Sequence, residues 1–363
     1  MKNTFGNTLK ITLFGESHGE AIGAVIDGLA PGVRIDTDLI DAQLSRRRPC
    51  GAISTSRCEP DKYRIVSGAV NGYSTGTPLC IMIPNTDTKS GDYSLFSSVA
   101  RPGHADYTAE CKYHGYQDSR GGGHFSGRLT AAIVAAGAIV QSALENKGIF
   151  IGTHVKRCAR IDDRDFFDLE SDIKSLSSLA MPVLDENAGV AMKNAIMEAK
   201  GAKDSVGGIL ETAVIGLPCG VGEPWFDSIE SMLSHAMFSI PAVKGVEFGD
   251  GFAIADMLGS EANDPFFIDG DKIKTAKNSN GGINGGISNG MPIIFRCAVK
   301  PTPSIAQKQR TVDFKAMTET ELETVGRHDP AIVHRAAVVV DAMTALTLAD
   351  LLLTRYGTDW LAK

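Results

Sequence analysis

Three consecutive glycines, Gly121-Gly-Gly123, stand directly ahead of a long apolar helix pattern, and this junction restricts the fold more than any other stretch. Glycine lets a backbone take left-handed turns and approach a neighbour closely. The apolar positions that follow, Leu129, Ile133, Val134, Gly137, Val140 and Leu144, recur at spacings of three and four. That spacing marks one face of a helix. Alanine and glycine dominate the helix, so it should pack tightly on other elements and lie buried. Just upstream come Arg101-Pro-Gly-His-Ala-Asp-Tyr-Thr108 and Ser119-Arg-Gly-Gly-Gly-His-Phe-Ser-Gly-Arg128. Free N–H groups at a helix start attract anions, and histidine is the side chain suited to proton transfer near neutral pH. Residues 101–128 therefore read as a loop system for a phosphorylated ligand, with a proton-transfer group, His104, beside it.

Bulk composition narrows the setting. A chain of 363 residues with 43% hydrophobic and 22% charged residues is ordinary for a globular protein. Length alone would allow two domains. No linker or internal repeat cuts the sequence, so residues 1–363 are read as one domain. A net charge of −7 argues against a general nucleic-acid binder but leaves room for a local basic pocket. The N-terminus has no apolar signal-peptide core. No run reaches the roughly 18 apolar residues of a membrane span, so no membrane partner is expected. Seven cysteines are scattered without a C-x-x-C pair, which fits reduced thiols in a cytoplasmic protein.

Along the chain, residues 9–14 and 21–26 read as strands around the turn Gly15-Glu-Ser-His-Gly19. Asp36 is an N-cap signal for a helix that ends in Arg46-Arg-Arg-Pro49. Such a run exceeds what a helix C-terminus needs, so at least one of these arginines is expected to meet an anion. Strands are expected at 63–67, 79–84, 149–155, 209–215 and 292–299. Helices are expected at 187–200, after Asp227 as a capping box, and at 338–354. Residues 160–186 read as an acidic loop, and 277–290 as a glycine-dense stretch.

The candidate chemistry rests on His18, His104, Asp106, His124, Arg327, His328 and Asp329, with arginines 46–48, 101, 120, 128 and 335. No metal-ligand spacing, nucleophile elbow, P-loop or dinucleotide fingerprint is present. Histidines among arginines and glycine turns point to acid–base chemistry on a phosphorylated anion. Residue chemistry alone names no reaction.

The ordered set of motifs goes further. Gly15-Glu-Ser-His-Gly19, Arg46-Arg-Arg-Pro49, Arg101-Pro-Gly-His-Ala-Asp-Tyr-Thr108, Ser119-Arg-Gly-Gly-Gly123, Asp204-Ser-Val-Gly-Gly208, Ala242-Val-Lys-Gly245, Gly285-Gly-Ile-Ser-Asn-Gly290, Lys300-Pro-Thr302 and Gly326-Arg-His-Asp-Pro330 together resemble the chorismate synthase family. The resemblance implies an α+β fold, a β-α-β sandwich with helices between antiparallel sheets. It implies a homotetrameric lyase of the shikimate pathway that converts 5-enolpyruvylshikimate 3-phosphate to chorismate and phosphate. Reduced FMN would be required, without net redox change. By position, His18, His104 and Asp329 are implied as catalytic groups, and Ser17, Arg47, Arg128 and Arg335 as substrate ligands. Cofactor contacts are implied at His124, Phe125, Ser126, Pro241, Ala242, Gly285, Lys300, Pro301, Thr302, Pro303, Ser304 and Arg327.

The sequence departs from the family pattern in places. His124-Phe-Ser-Gly-Arg128 stands where many members read Arg-Ser-Ser-Ala-Arg. An arginine sometimes assigned to nicotinamide falls near Ile53, which speaks against an NADPH site. The alternatives are an NADPH-dependent flavin reductase and an inactive flavin-binding relative.

Overall fold

The computed structural model describes residues 2–49, 51–55, 59–87, 96–324 and 329–362. Two five-stranded antiparallel sheets and the helices packed on them make an α+β fold. The first sheet runs in the order Thr4–Phe5, Lys10–Gly15, Ala21–Asp27, Leu79–Pro84, Arg64–Ser67. The second runs Val243–Phe248, Ile293–Val299, Gly208–Ile215, Phe150–Cys158, Ile161–Asp162. In Leu79–Pro84 buried and half-buried residues alternate strictly, as expected when one strand face packs on the core.

Two helices fill the centre. Thr130–Glu145 packs on the first sheet, and Val333–Tyr356 packs on the second. The two helices also pack on each other, along with Thr37–Arg47. Gly137 explains the small residues of the central helix: a Cβ there would come within 2.4 Å of the Ala342 Cβ. Any side chain at 137 would force the helices apart. Gly127–Glu145, which adds the preceding turn to the first helix, and Val333–Tyr356 are long and apolar enough to cross a membrane, contrary to the sequence expectation that no such run exists. Their apolar windows are 89% and 100% buried within the fold, because sheets cover them on the outside.

Several elements differ from expectation. The acidic stretch 160–186 contains a helix, Leu169–Leu176, capped by Asp168 and buried at Ile173 and Leu176. Its acidic first turn suits a helix N-terminus but disguises it as a loop. The cap of Ile229–Ser239 is Ser228, whose hydroxyl accepts from Ser231 N, rather than Asp227. The C-terminal helix starts at Val333, five residues early, because His334 and Arg335 interrupt the apolar pattern. The helix Asp106–Tyr113 was not foreseen. In the glycine-dense stretch, Ile283–Asn284 pairs with Ile287–Ser288, and the Asp264 carboxylate accepts from Ser279 N and Asn280 N. The five described cysteines carry free thiols.

Candidate active site

A cavity of about 650 Å³ opens where the loops at 47–55, 103–105 and 121–128 meet residues 238–244, 300–304 and the start of the C-terminal helix. Six chain segments thus converge on one space. Its volume is within the range of small-molecule sites.

One wall is cationic and centres on Asp61. Arg47, at the end of the helix Thr37–Arg47, donates Nη2 to Asp61 Oδ2 at 2.8 Å. Arg128, just before the central helix, donates Nη1 to Asp61 Oδ1. The Asp61 side chain is fully buried. Burial alone would raise its carboxyl, but Arg47 and Arg128 hold it below the usual carboxylate range. Burial lowers both guanidiniums from their ordinary value, and Asp61 opposes that shift. Arg128 also donates to Asn85 Oδ1 at 3.0 Å and to Pro84 O. Among the described residues, the buried Nε of Arg47 finds no hydrogen-bond partner. An unpaired buried donor is costly, and an anion in the cavity would satisfy it.

Arg335 completes this wall. Its Nε donates to Arg47 O at 2.8 Å and its Nη1 to Asp329 Oδ2 at 2.5 Å. Asp329 Oδ1 accepts from Thr55 N at 2.8 Å. Next to it, His334 is buried and bonds Ser54 Oγ through Nε2 at 3.0 Å. Burial, then Arg335, push this imidazole down to about 4. It is therefore neutral, and it holds the loop 51–55 against the helix.

The triple glycine packs closely on two histidines. Residues 120–125 form short turns with left-handed glycines, and the regular helix begins only at Thr130. A Cβ on Gly121 would lie 2.1 Å from the His18 ring, and one on Gly122 would meet His104 at 3.4 Å. The glycines bring backbone into contact with both histidines. Ser17 and His18 sit behind this layer, buried, and Ser17 N donates to Gly123 O at 3.0 Å.

The other wall mixes apolar and cationic groups. Phe238 and Ile240 line it together with Lys244 and Lys300. Burial, then Lys244, lower the Lys300 ammonium. His124 Nδ1 lies 2.8 Å from Gly15 O and therefore carries the hydrogen, since a carbonyl only accepts. Ser126 caps the turn at Arg128 N. Ala242 takes a left-handed φ of 76°, and its carbonyl accepts from Lys300 N. Among the described residues, no cluster of three His, Cys, Asp or Glu could hold a metal ion.

Of the residues singled out from the sequence, His104, Asp329, Arg47, Arg128, Arg335, His124, Phe125, Ser126, Pro241, Ala242, Lys300, Thr302, Pro303 and Ser304 line the cavity. Ser17 and His18 stand one layer behind it. Pro301 is outside the lining, and Gly285 sits at a hairpin tip away from it. Arg327 and His328 lie outside the described residues. Arg46 turns inward to Gln43 and Asp341. Sequence reasoning missed Asp61, whose one signal is an acid in an arginine-rich neighbourhood, and gave no role to Asp106.

Comparison with known proteins decides the family. A family model described as chorismate synthase matches residues 9–353. The chain belongs to the chorismate synthase family. A chorismate synthase of Pyrococcus abyssi is 47% identical over 350 residues, covering 96% of this chain and 97% of that one. One of Thermococcus gammatolerans is 46% identical over 363 residues, with 99% of each covered. A solved structure titled "Crystal Structure of Chorismate Synthase" superposes with a TM-score of 0.77 at 29% identity, covering 97% of this chain and 94% of that one. The chain is accordingly an enzyme, a lyase with chorismate synthase function.

Proposed function

We propose that the 650 Å³ cavity is where 5-enolpyruvylshikimate 3-phosphate loses phosphate by 1,4-anti elimination to give chorismate. The observation that carries this reading is the convergence of Arg47, Arg128 and Arg335 with His104 and Asp329 on one cavity. A substrate with a phosphate and carboxylates needs such a wall, and arginine grips these groups in a bidentate manner. The unpartnered Arg47 Nε is a donor in waiting.

The lining at residues 238–244 and 300–304 fits reduced FMN. Apolar side chains there suit a flat ring system, and Lys300, Lys244 and the backbone of residues 300–304 suit its polar edge and phosphate. His124, Phe125, Ser126, Pro241 and Ala242 would complete that site. Reduced FMN held there would supply electron density for C–O cleavage without net oxidation.

The chain's own residues bind, orient and move protons. Ser17 and His18 stand behind Gly121, and His18 supplies a proton to the leaving phosphate. His104 exchanges a proton with the bound cofactor. Asp329, held by Thr55 N and Arg335, helps the proton leave the substrate ring.

Two further readings belong here. The enzyme acts as a cytoplasmic homotetramer, with subunits burying side chains that one chain leaves exposed, among them Trp225, Phe226, Phe252 and Ile268. Its helices lie between the sheets as a β-α-β sandwich.

The test is anaerobic incubation of the protein with the enolpyruvyl substrate and reduced FMN. Chorismate absorbance and phosphate should rise in equal amounts. Absence of both products with reduced FMN present would overturn the reading.

A further inference from the structure

His104 and Asp106 lie two residues apart where the helix Asp106–Tyr113 begins. The Asp106 carboxylate has little freedom. Its Oδ2 accepts from Arg101 N at 3.0 Å and Arg101 Nε at 2.8 Å, and its Oδ1 accepts from Arg101 Nη2 at 2.7 Å. The Arg101 guanidinium in turn lies over the Phe96 ring, 4.2 Å from its centre. His104 N donates to Arg101 O at 3.1 Å. Residues 101–106 thus form a closed loop, and the loop sets His104 Nδ1 at 2.9 Å from Asp106 Oδ1. Burial would raise the Asp106 carboxyl, but hydrogen bonds from Arg101 and His104 hold it well below the usual range. It is a full carboxylate and can only accept.

We infer that Asp106 is a positioning residue that keeps His104 in the Nδ1–H tautomer and leaves Nε2 as the nitrogen that exchanges protons. An unprotonated Nδ1 would set its lone pair against a carboxylate oxygen 2.9 Å away. Arg101 Nη2 also lies 3.0 Å from Nδ1, but it already directs a hydrogen to Asp106 Oδ1. The second hydrogen of Nη2 could turn to Nδ1, but the Nδ1 lone pair would then still face the carboxylate, whereas Oδ1 has a second lone pair for Nδ1–H, so the hydrogen belongs on Nδ1. His104 reaches the cavity through the remainder of its ring, and the Gly122 backbone covers its Nε2 edge on one side. The catalytic half of this inference rests on the role proposed above for His104. The tautomer does not depend on it.

The consequence of Asp106→Asn follows from counting bonds. An amide with its oxygen in the Oδ2 place keeps two bonds from Arg101 and turns its NH₂ toward Nδ1. The reverse orientation opposes two Arg101 donors with one NH₂. The first arrangement loses less, and it forces Nδ1 to accept, which moves the hydrogen to Nε2.

The experiment uses the full chain with ¹⁵N-labelled histidine. Imidazole ¹⁵N spectra are taken at about pH 9, above the ordinary imidazole range, and the His104 signal is assigned by its loss in His104→Gln. The wild-type protein should show Nδ1–H at His104, and Asp106→Asn should show Nε2–H. Turnover of Asp106→Asn should fall on the order of 10²-fold with KM changed less than about threefold, as expected of a wrong tautomer at a general acid–base group. A wild-type signal from Nε2–H overturns the inference and needs no variant. A tautomer that flips while turnover stays at the wild-type level supports the positioning role and overturns the proposed role of His104 instead.

Discussion

The protein holds two networks of histidine, arginine and carboxylate, and they end differently. In the second sheet, His154, Glu211, Arg296 and Glu247 stand opposite one another on four adjacent strands. His154 Nδ1 meets Asp163 Oδ2 at 2.7 Å and Nε2 meets Glu211 Oε2 at 3.0 Å. Arg296 links Glu211 to Glu247 and Gly249 O. Phe166 closes over the imidazole with ring centres 4.7 Å apart, and the His154 side chain is fully buried. Both nitrogens are used and no ligand can reach them. Around the cavity, His104 is bonded on one nitrogen, and Arg47 keeps an unpartnered Nε. The same residue types form a closed ladder in one place and an open wall in the other. Spare hydrogen-bonding capacity facing a cavity, rather than residue type, is what separates chemistry from scaffolding.

The largest effect should come from the open network. His104→Ala should reduce turnover by about 10²–10⁴-fold while thermal unfolding stays near that of the wild-type protein. A near-wild-type rate would take His104 out of the mechanism and erase the contrast. His154→Ala should do the reverse. It strands Asp163 and Glu211 in the interior, and removing one partner of a buried ion pair costs about 3–5 kcal/mol. Denaturant unfolding should record that loss, with turnover per folded molecule unchanged. A variant that keeps its stability but loses activity would make the ladder part of the catalytic apparatus.

Asp61→Asn lies between the two networks in character. It leaves Arg47 and Arg128 close together without their shared counter-charge. Hydrogen bonds to charged groups contribute about 1.5–3 kcal/mol each, so a stability loss on the order of 2 kcal/mol is expected at pH 7. The sign with pH is fixed by the lowered Asp61 carboxyl. Its contribution is present above the unfolded value of about 3.9 and disappears as pH falls through the lower folded value. KM should rise as well, because both arginines face the cavity. Unchanged KM with lowered stability would assign Asp61 to scaffolding alone.

Local pattern and distant contact were not equally legible in the sequence. Strand 79–84 could be read to the residue because alternation is a local property. The small residues of the central helix announced close packing, and Gly137 against Ala342 is that packing. Most of the residues that the family resemblance singled out line the cavity, since a resemblance carries positions that no spacing rule supplies. Asp61 was missed because its partners are 14 and 67 residues away, and no local pattern encodes such a meeting. The neighbours of Gly121–Gly123 were not legible for the same reason. The left-handed turns of these glycines were foreseeable, but the histidines they approach come from other segments.

The smallest effect to look for is the pH dependence of the closed ladder. Burial opposes the charge on His154, yet the hydrogen bonds it makes to Asp163 and Glu211 leave it raised above the ordinary value. A raised folded value means that the folded protein holds this proton more tightly than the unfolded chain. The stabilisation is complete below the unfolded value of about 6.5 and fades as pH rises through the folded value. Asp163 and Glu211, both lowered, contribute in the opposite sense: their share is present above the ordinary carboxylate range and is lost in acid. Melting temperature should therefore decline on the alkaline side of neutrality in the wild-type protein. His154→Gln should flatten that decline, because glutamine carries no charge to lose. Equal alkaline slopes in the two proteins would show that His154 is held neutral. The ladder would then be an ordinary hydrogen-bonded row, and the contrast with the cavity would rest on burial alone.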